Sequence, residues 1–185
     1  MEKILKHFKI KSTIVDIKPL KIGHINDSFI ASGKNPEDES YFLQKINHHI
    51  FKDIQGLQNN IKIVTDHLRK KYKDAGVTNI EQKVLQLIET KDNKLFYQDD
   101  EGNYWRVYVH IKNTHSYEAI TPELAYEAGK AYGNFHCMIA DIPTNQLVDS
   151  IPDFHNVEFR VQQLKDAVKD DLANRVEKTN WMVDE

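Results

Sequence analysis

Short runs of alternating apolar and polar residues in the first half of the chain predict β-strands. Two such runs, at 27–31 and 41–46, flank a segment of turn-forming and charged residues at 32–39, which predicts a β-hairpin. A polar loop with one glycine, residues 23–28, precedes this hairpin. Glycine lets a chain come close to a ligand. The loop and hairpin therefore suit a lid over the phosphates of a nucleotide, although a single glycine is a weak signal for that.

Further strands and one long helix extend the predicted sheet region. Strands are predicted at 14–17, with Pro19 bending the first one or marking an edge, and at 84–88, 95–97 and 104–111. A short amphipathic helix at the N-terminus is expected to pack on this sheet. Between 52 and 73, apolar residues recur at steps of three and four and so share one helical face: Ile54, Leu57, Ile61, Val64 and Leu68. Hairpins and a meander imply an antiparallel sheet with this helix on one face.

The pattern becomes helical after a polar connector at 112–118. Thr121 and Pro122 have the form of a helix N-terminus. In that helix Gly129 and Gly133 lie one turn apart and would let another backbone approach closely. A second helix is predicted over 156–176, with an apolar stripe of Val157, Val161, Leu164, Val168 and Leu172. The tail, 177–185, has no clear pattern. The predicted fold class is α+β.

Composition and charge exclude several classes of partner. The 185 residues suffice for one medium domain or two small lobes. The formal charge is −3, from 25 basic and 28 acidic residues, so we expect neither a nucleic-acid nor a membrane partner. The N-terminus has no signal-peptide pattern and no apolar run approaches the length of a membrane span, so a cytoplasmic protein is expected.

Histidine and cysteine residues do not predict a reactive site. None of the pairs among the nine histidines combines ligand spacing with a carboxylate or cysteine neighbour, so no metal site is expected. Cys137 is the single cysteine, which excludes an internal disulfide. It lies beside an apolar helical face and is interpreted as a small buried hydrophobic residue rather than a nucleophile.

The connector gives a stronger functional signal. A polar link between a sheet and a set of helices makes a cleft, and ligands favour such interfaces. Residues 108–113 would line that cleft, and their backbone groups could recognise the edge of an adenine. A plain interdomain linker explains the same residues equally well, so both interpretations stay open on the residues alone.

Several segments, taken in order, resemble the aminoglycoside phosphotransferase/choline kinase family, which has the protein-kinase-like fold. The resemblance is greatest to the N-acetylhexosamine 1-kinases within that group. The ordered set is more specific than any one segment, and it covers nearly the whole chain. The matching segments are 23–28, 41–47, the helix with Val64 and Thr65, 105–108 with 113–117, 127–133, and 154–156 with Arg160.

The resemblance implies a two-lobed kinase-like fold with an ATP site. Residues 1–111 would form an N-terminal nucleotide-binding lobe of antiparallel sheet plus one helix, 112–118 a hinge, and 119–185 the first helices of a helical C-terminal lobe. His24 would contact the sugar substrate, and Gln44 falls where protein kinases place a phosphate-binding lysine. The implied ATP-binding residues are Gly23, Ile25, Asn26, Asp27 and Ser28 in the phosphate loop, Gln44, and Val109, His110 and Ile111 at the hinge.

The resemblance also shows what this sequence lacks. Members of the family carry a catalytic loop with an aspartate base, followed by a metal-binding aspartate. No His-x-Asp-x-x-x-x-Asn pattern occurs between 118 and 185, so catalytic residues and Mg²⁺ ligands are expected beyond residue 185. We therefore expect a fragment that is inactive alone.

Two functions are compatible with these expectations. In the first, the chain is the ATP-binding half of a kinase that phosphorylates the anomeric hydroxyl of an N-acetylhexosamine. In the second, it is a non-catalytic binding or interaction module, which could dimerise through the exposed apolar stripe of its C-terminal helix.

Overall fold

An antiparallel six-stranded sheet organises the protein in a computed structural model that describes residues 1–20, 23–117 and 119–183. The strand order is β1-β2-β3-β6-β4, and β5 also pairs with β6. All pairs are antiparallel, as the hairpin and meander pattern predicted. The strands are β1 (Asp16–Leu20), β2 (Asp27–Ser32), β3 (Tyr41–Ile46), β4 (Leu87–Ile88), β5 (Tyr97–Gln98) and β6 (Tyr104–Val109).

Different helices cover the two faces of the sheet. The short helix α1 (Glu2–Leu5) and the residues after it pack Leu5 and Phe8 on the face that includes Leu43 and Val107. Successive residues of a strand point to opposite faces, so Ile46 belongs to the other face. There it packs against Ile54 and Leu57 of α2 (Ile54–Asp74). The expectations of an N-terminal helix on the sheet and one long helix on a face are confirmed.

The ends of α2 follow from its sequence. Asp53 Oδ1 accepts the Gly56 N–H at 2.8 Å, which satisfies one of the free donors at the helix start. Gly76 has φ +67° and its N–H donates to the Lys73 carbonyl at 3.0 Å. A left-handed residue here ends the helix, close to the predicted end.

Three strands are shorter than predicted. In the segment 84–88 only Leu87 and Ile88 pair with a neighbouring strand. The carbonyls of Val84 and Leu85 accept hydrogen bonds from the Arg69 guanidinium of α2 instead. The segment predicted at 95–97 pairs only at Tyr97–Gln98, and β6 ends at Val109 rather than at 111. Pro19 lies in β1, which is an edge strand, where a missing N–H is tolerated.

The helices after the sheet begin where their caps predict. The helix α3 (Pro122–Ile139) starts after Thr121, whose Oγ1 accepts the Leu124 N–H at 3.3 Å. In α4 (Val157–Asp170) the cap is Asn156, which accepts the Phe159 N–H at 3.0 Å.

The predicted helix 156–176 is wrong at its C-terminal end. Asp171 adopts a left-handed conformation with φ 38°, and its Oδ1 accepts the N–H groups of Arg175 and Val176. A second helix, α5 (Val176–Val183), follows where no pattern was predicted. Residues 184–185 of the tail and residue 118 of the connector lie outside the described residues.

The helices α3 and α4 contribute no buried residue. Cys137 is exposed, so its interpretation as a buried hydrophobic residue is wrong. A Cβ added at Gly129 or Gly133 would meet no heavy atom of the described residues within 4 Å, so no neighbouring backbone uses this pair. The reason is that α3 meets α2 mainly near its C-terminal end, where His67 and Lys71 contact the Met138 carbonyl.

Residue contacts divide the chain into two units, one from Met1 to Ser150 and one from Ile151 onward. The first contains the sheet and α1–α3, and the second contains α4 and α5. The lobe boundaries at 111 and 118 stay predictions. Among the helices described, none combines the length and the apolar character that crossing a membrane would require.

Candidate functional site: a cavity at the end of the sheet

A cavity of about 630 Å³ lies where β6 leaves the sheet. Leu20, Ile30, Phe42 and Tyr108 line it from four different strands. Cross-strand pairing and the two-residue period place these four side chains on one sheet face. The remaining walls come from Leu85 and from residues 109–111 and 113–116. Ligand pockets of this size are typically apolar with a few polar groups that fix orientation.

Backbone N–H groups beside the cavity differ in whether they already donate a hydrogen bond within the described residues. The Val109 N–H donates to the Gln86 carbonyl and the His110 N–H donates to the Ser40 carbonyl, both at 2.9 Å. The Ile111 N–H, in contrast, has no hydrogen-bond partner among the described residues. A ligand in this cavity could therefore use the Ile111 N–H without breaking an existing bond.

His110 is partly buried and hydrogen-bonded at the edge of the cavity. Its Nδ1 lies 3.0 Å from Ser40 Oγ. Burial, and secondarily the charge of Lys112, lowers the pKa of the His110 imidazole below its ordinary value. Lys112 Nζ in turn donates to the Asp38 carbonyl at 2.8 Å. These contacts fasten the exit of β6 to the β2–β3 hairpin.

A polar row of three residues crosses the same sheet face next to the cavity. Ser28, Gln44 and Arg106 are direct cross-strand partners on β2, β3 and β6, and we call them the rung. Arg106 Nε and Nη2 donate to Gln44 Oε1 at 3.0 and 2.8 Å. Gln44 Nε2 donates to Ser28 Oγ at 3.0 Å. The rung is continuous across three strands.

The guanidinium of Arg106 is a buried cation. Arg106 is 8% exposed, and its Nη1 has no hydrogen-bond partner among the described residues. Within that part of the chain it forms no ion pair, and its guanidinium carbon lies 5.3 Å from the centre of the Tyr108 ring. Burial lowers the pKa of Arg106 and raises the pKa of Tyr108, the second effect being opposed by the Arg106 charge. Such a cation favours a nearby anion or a strong acceptor.

The predicted phosphate loop lies before β2. Gly23 has φ +96°, a conformation that favours glycine. Asn26 Oδ1 accepts the Asn47 N–H at 2.9 Å and so ties the loop to the end of β3. His24 and Ile25 are exposed. The loop is thus anchored at Asn26 while its tip faces solvent.

Some of the site residues predicted from the sequence lie at the cavity or in the rung, and others do not. Val109, His110 and Ile111 line the cavity, and Ser28 and Gln44 lie in the rung on the same sheet face. The loop residues do not line the cavity, and Asp27, the first residue of β2, is exposed. Their roles stay predictions.

Sequence reasoning missed Arg106 and most of the cavity wall. The alternation along β6 already placed Arg106 on one face with Tyr108 and His110, and that was the available signal. Leu20, Ile30 and Phe42 carried no such signal, because an apolar strand residue is equally common in a core. In the second unit, Phe154, His155 and Arg160 line a separate depression, with the Arg160 guanidinium 6.0 Å from the Phe154 ring.

No protein-family model matches this sequence. Among solved structures, the chain is similar to that of a spectinomycin phosphotransferase, APH(9)-Ia, crystallised with ADP and spectinomycin. The two share 16% sequence identity with a TM-score of 0.47. The match covers 78% of this chain but 38% of the phosphotransferase, so the chain spans well under half the length of that protein.

Proposed function

We propose that this chain is the nucleotide-binding part of a small-molecule phosphotransferase. The acceptor we propose is an N-acetylhexosamine, phosphorylated at its anomeric hydroxyl by the γ-phosphate of ATP. The observation that carries the nucleotide site is the cavity at the end of β6, apolar on four strands and bordered by the free Ile111 N–H. An adenine presents a flat apolar ring with acceptor nitrogens at its edge, which suits such a surface.

The rung and the loop 23–28 support the rest of the proposal. In this assignment the adenine occupies the cavity, and the phosphates extend toward Ser28 and Gln44. The backbone N–H groups of the loop would then face the phosphates, as consecutive N–H groups do in other anion sites. His24, exposed in the same loop, would be available to the sugar.

The proposal assigns no residue of this chain to the chemical step of the transfer. Phosphoryl transfer needs a base beside the acceptor hydroxyl and carboxylates around Mg²⁺. Among the described residues, no group of three or more His, Cys, Asp or Glu side chains could hold a metal ion. In this proposal, further residues of the intact protein provide the base and the metal ligands.

Calorimetric titration with adenosine and ADP tests the nucleotide site. Ile111→Pro removes the free N–H and no observed hydrogen bond, whereas Ile111→Val keeps it. We expect Ile111→Pro to weaken adenosine binding by up to about tenfold, the value of one hydrogen bond. Ile111→Val should bind like the wild type. A wild-type chain that binds neither adenosine nor ADP would contradict the proposed function.

An ATP-consumption assay of the intact protein tests the acceptor. The acceptors to compare are N-acetylglucosamine, N-acetylgalactosamine, choline and aminoglycosides. We expect turnover with an N-acetylhexosamine, and His24→Ala should raise the KM for the sugar more than the KM for ATP. The absence of turnover with either sugar would exclude this substrate class. The isolated chain should show none with any acceptor.

A second candidate function is a non-catalytic module that self-associates through its C-terminal helices. The observation that favours it is the exposure of large apolar side chains there: Leu164 is 53% and Leu172 92% exposed. Sedimentation equilibrium should then show a concentration-dependent dimer that Leu164→Asp abolishes. A monomer over the whole concentration range would exclude this candidate.

A further inference from the structure

The hydrogen bonds of the rung all run in one direction. A guanidinium group can only donate, so the Gln44 atom that faces Arg106 must be the oxygen. That contact fixes the amide orientation and turns Gln44 Nε2 toward Ser28. Ser28 Oγ accepts from Nε2, so its own hydrogen points elsewhere, and no acceptor for it occurs among the described residues. The donors are therefore ordered from Arg106 across the sheet to Ser28, which is buried like Arg106.

The charge of Arg106 has no counterion in the part of the chain that is described. A buried cation is costly unless an acceptor or an anion compensates it. The amide oxygen of Gln44 takes two of its hydrogen bonds, but Nη1 remains without a partner. Gln44 is half-buried, whereas Arg106 is almost fully buried. A ligand on this face would thus meet the Gln44 amide before the guanidinium.

We propose that Arg106 is a positioning residue that turns Gln44 and Ser28 into a pair of oriented donors for an anionic phosphate group. This inference rests on the proposed nucleotide site, and it adds the source of the positive charge at that site. The charge expected from a lysine at the position of Gln44 on β3 is supplied by Arg106, one strand away. The Arg106 charge acts on the phosphate through the neutral amide N–H of Gln44 and the hydroxyl of Ser28.

Gln44→Glu separates this role from a purely structural one. The carboxylate has nearly the shape of the amide and accepts the same two hydrogen bonds from Arg106. The fold should therefore keep or raise its thermal unfolding midpoint. A carboxylate has no N–H, however, so the rung loses the Gln44 donor and gains a negative charge beside the phosphate. A structural role alone would leave phosphate binding unchanged.

The experiment measures binding of adenosine, ADP and inorganic tripolyphosphate to the wild type and to Gln44→Glu. We expect ADP and tripolyphosphate to bind the variant at least about tenfold more weakly, since a charged hydrogen bond is lost and a repulsion gained. Adenosine should bind both proteins equally. Ser28→Ala should weaken ADP binding less, and Ser28→Thr, which keeps a hydroxyl, should restore it.

Gln44→Lys provides the check on the geometry. It reproduces the usual kinase lysine but places an ammonium beside the Arg106 guanidinium. Because the two like charges repel, its unfolding midpoint should fall below those of the wild type and Gln44→Glu. A stable Gln44→Lys together with a destabilised Gln44→Glu would overturn the contact between Arg106 and Gln44 and with it the proposal.

The possible ligand-binding results distinguish this proposal from the one on which it rests. Equal ADP binding by the wild type and Gln44→Glu overturns the role of Arg106 and leaves the nucleotide site intact. If the wild type binds only tripolyphosphate, and Gln44→Glu loses it, the rung is supported and the nucleotide assignment fails. A wild type that binds none of the three compounds overturns both.

Discussion

The sheet and the helices that follow it differ sharply in how they are packed. Leu43 and Val107 are fully buried on the sheet face that α1 and the residues after it cover, and Ile46 is fully buried on the opposite face against α2. In contrast, α3 and α4 bury none of their residues. Apolar residues therefore contribute very differently to stability in the two regions. The cavity and the rung both belong to the well-packed region, which suits a site that must hold its geometry.

Substituting matched leucines in the two regions should give the largest difference. Leu43→Ala removes a fully buried side chain from the core and should lower the free energy of unfolding by about 2–5 kcal/mol. Leu164→Ala changes an exposed side chain and should stay within about 0.5 kcal/mol. Urea unfolding followed by fluorescence measures both, since Trp105 is buried in the same core. A large effect of Leu164→Ala would show that α4 is covered in solution.

The attachment of the segment after α3 can be weakened specifically. Asn60 in α2 donates to the Val148 carbonyl at 2.7 Å and accepts the Val148 N–H at 3.0 Å. Asn60→Ala should lower the free energy of unfolding by about 1–2 kcal/mol, the value of two partly exposed hydrogen bonds. Asn59→Ala, one position away and exposed, is the matched control. Equal effects in urea unfolding would contradict a specific role for Asn60.

Besides Arg106, one further buried side chain has polar atoms without a hydrogen-bond partner among the described residues. Gln58 of α2 is 0% exposed, and neither polar atom of its amide has a partner among the described residues. Gln58→Leu should raise the free energy of unfolding by about 1 kcal/mol, because it removes two desolvated groups. Gln58→Glu should instead destabilise, since it buries a charge. A destabilised Gln58→Leu would mean that the amide is paired in solution.

The smallest expected effect is a pH dependence at the edge of the cavity. The pKa of His110 is lower in the folded protein than in the unfolded chain. As the pH falls below about 6.5, the unfolded chain therefore takes up a proton on His110 before the folded protein does. The free energy of unfolding decreases with falling pH until the folded-state pKa of His110 has been passed. His110→Asn should flatten this decrease. Unfolding midpoints at pH 7.5 and 5.0 measure it, and parallel decreases in both proteins would exclude the effect.

Local sequence signals predicted most elements of the fold. The hairpin, α2 and the starts of α3 and α4 each depend on neighbours in sequence, namely turn residues, apolar spacing and caps. One error arose where a distant residue decides, and the other where a short-range contact was not recognised. Arg69 draws the segment at 84–85 away from strand pairing, and Asp171 ends α4 by folding back on the following backbone. The Arg69 contact spans 15 positions and has no local pattern, whereas Asp171 contacts the backbone four and five positions ahead.

The candidate site was predictable only in part for the same reason. Residues 109–111 follow from the end of a strand, and the cavity does lie there. The rung joins three strands that are up to 78 positions apart, and its significance depends on burial, which a sequence does not display. Cys137 shows an error of the opposite kind. It was predicted to be buried because it lies beside an apolar helical face, but such a face is buried only where another element covers it.

The exposure of Cys137 has a practical consequence. It is the single thiol of the chain and it lies on α3, away from the cavity-lining residues. A maleimide fluorophore would therefore attach at one known position without prior removal of other cysteines. Its anisotropy and quenching would report directly whether an added protein or a second copy of the chain covers this helix.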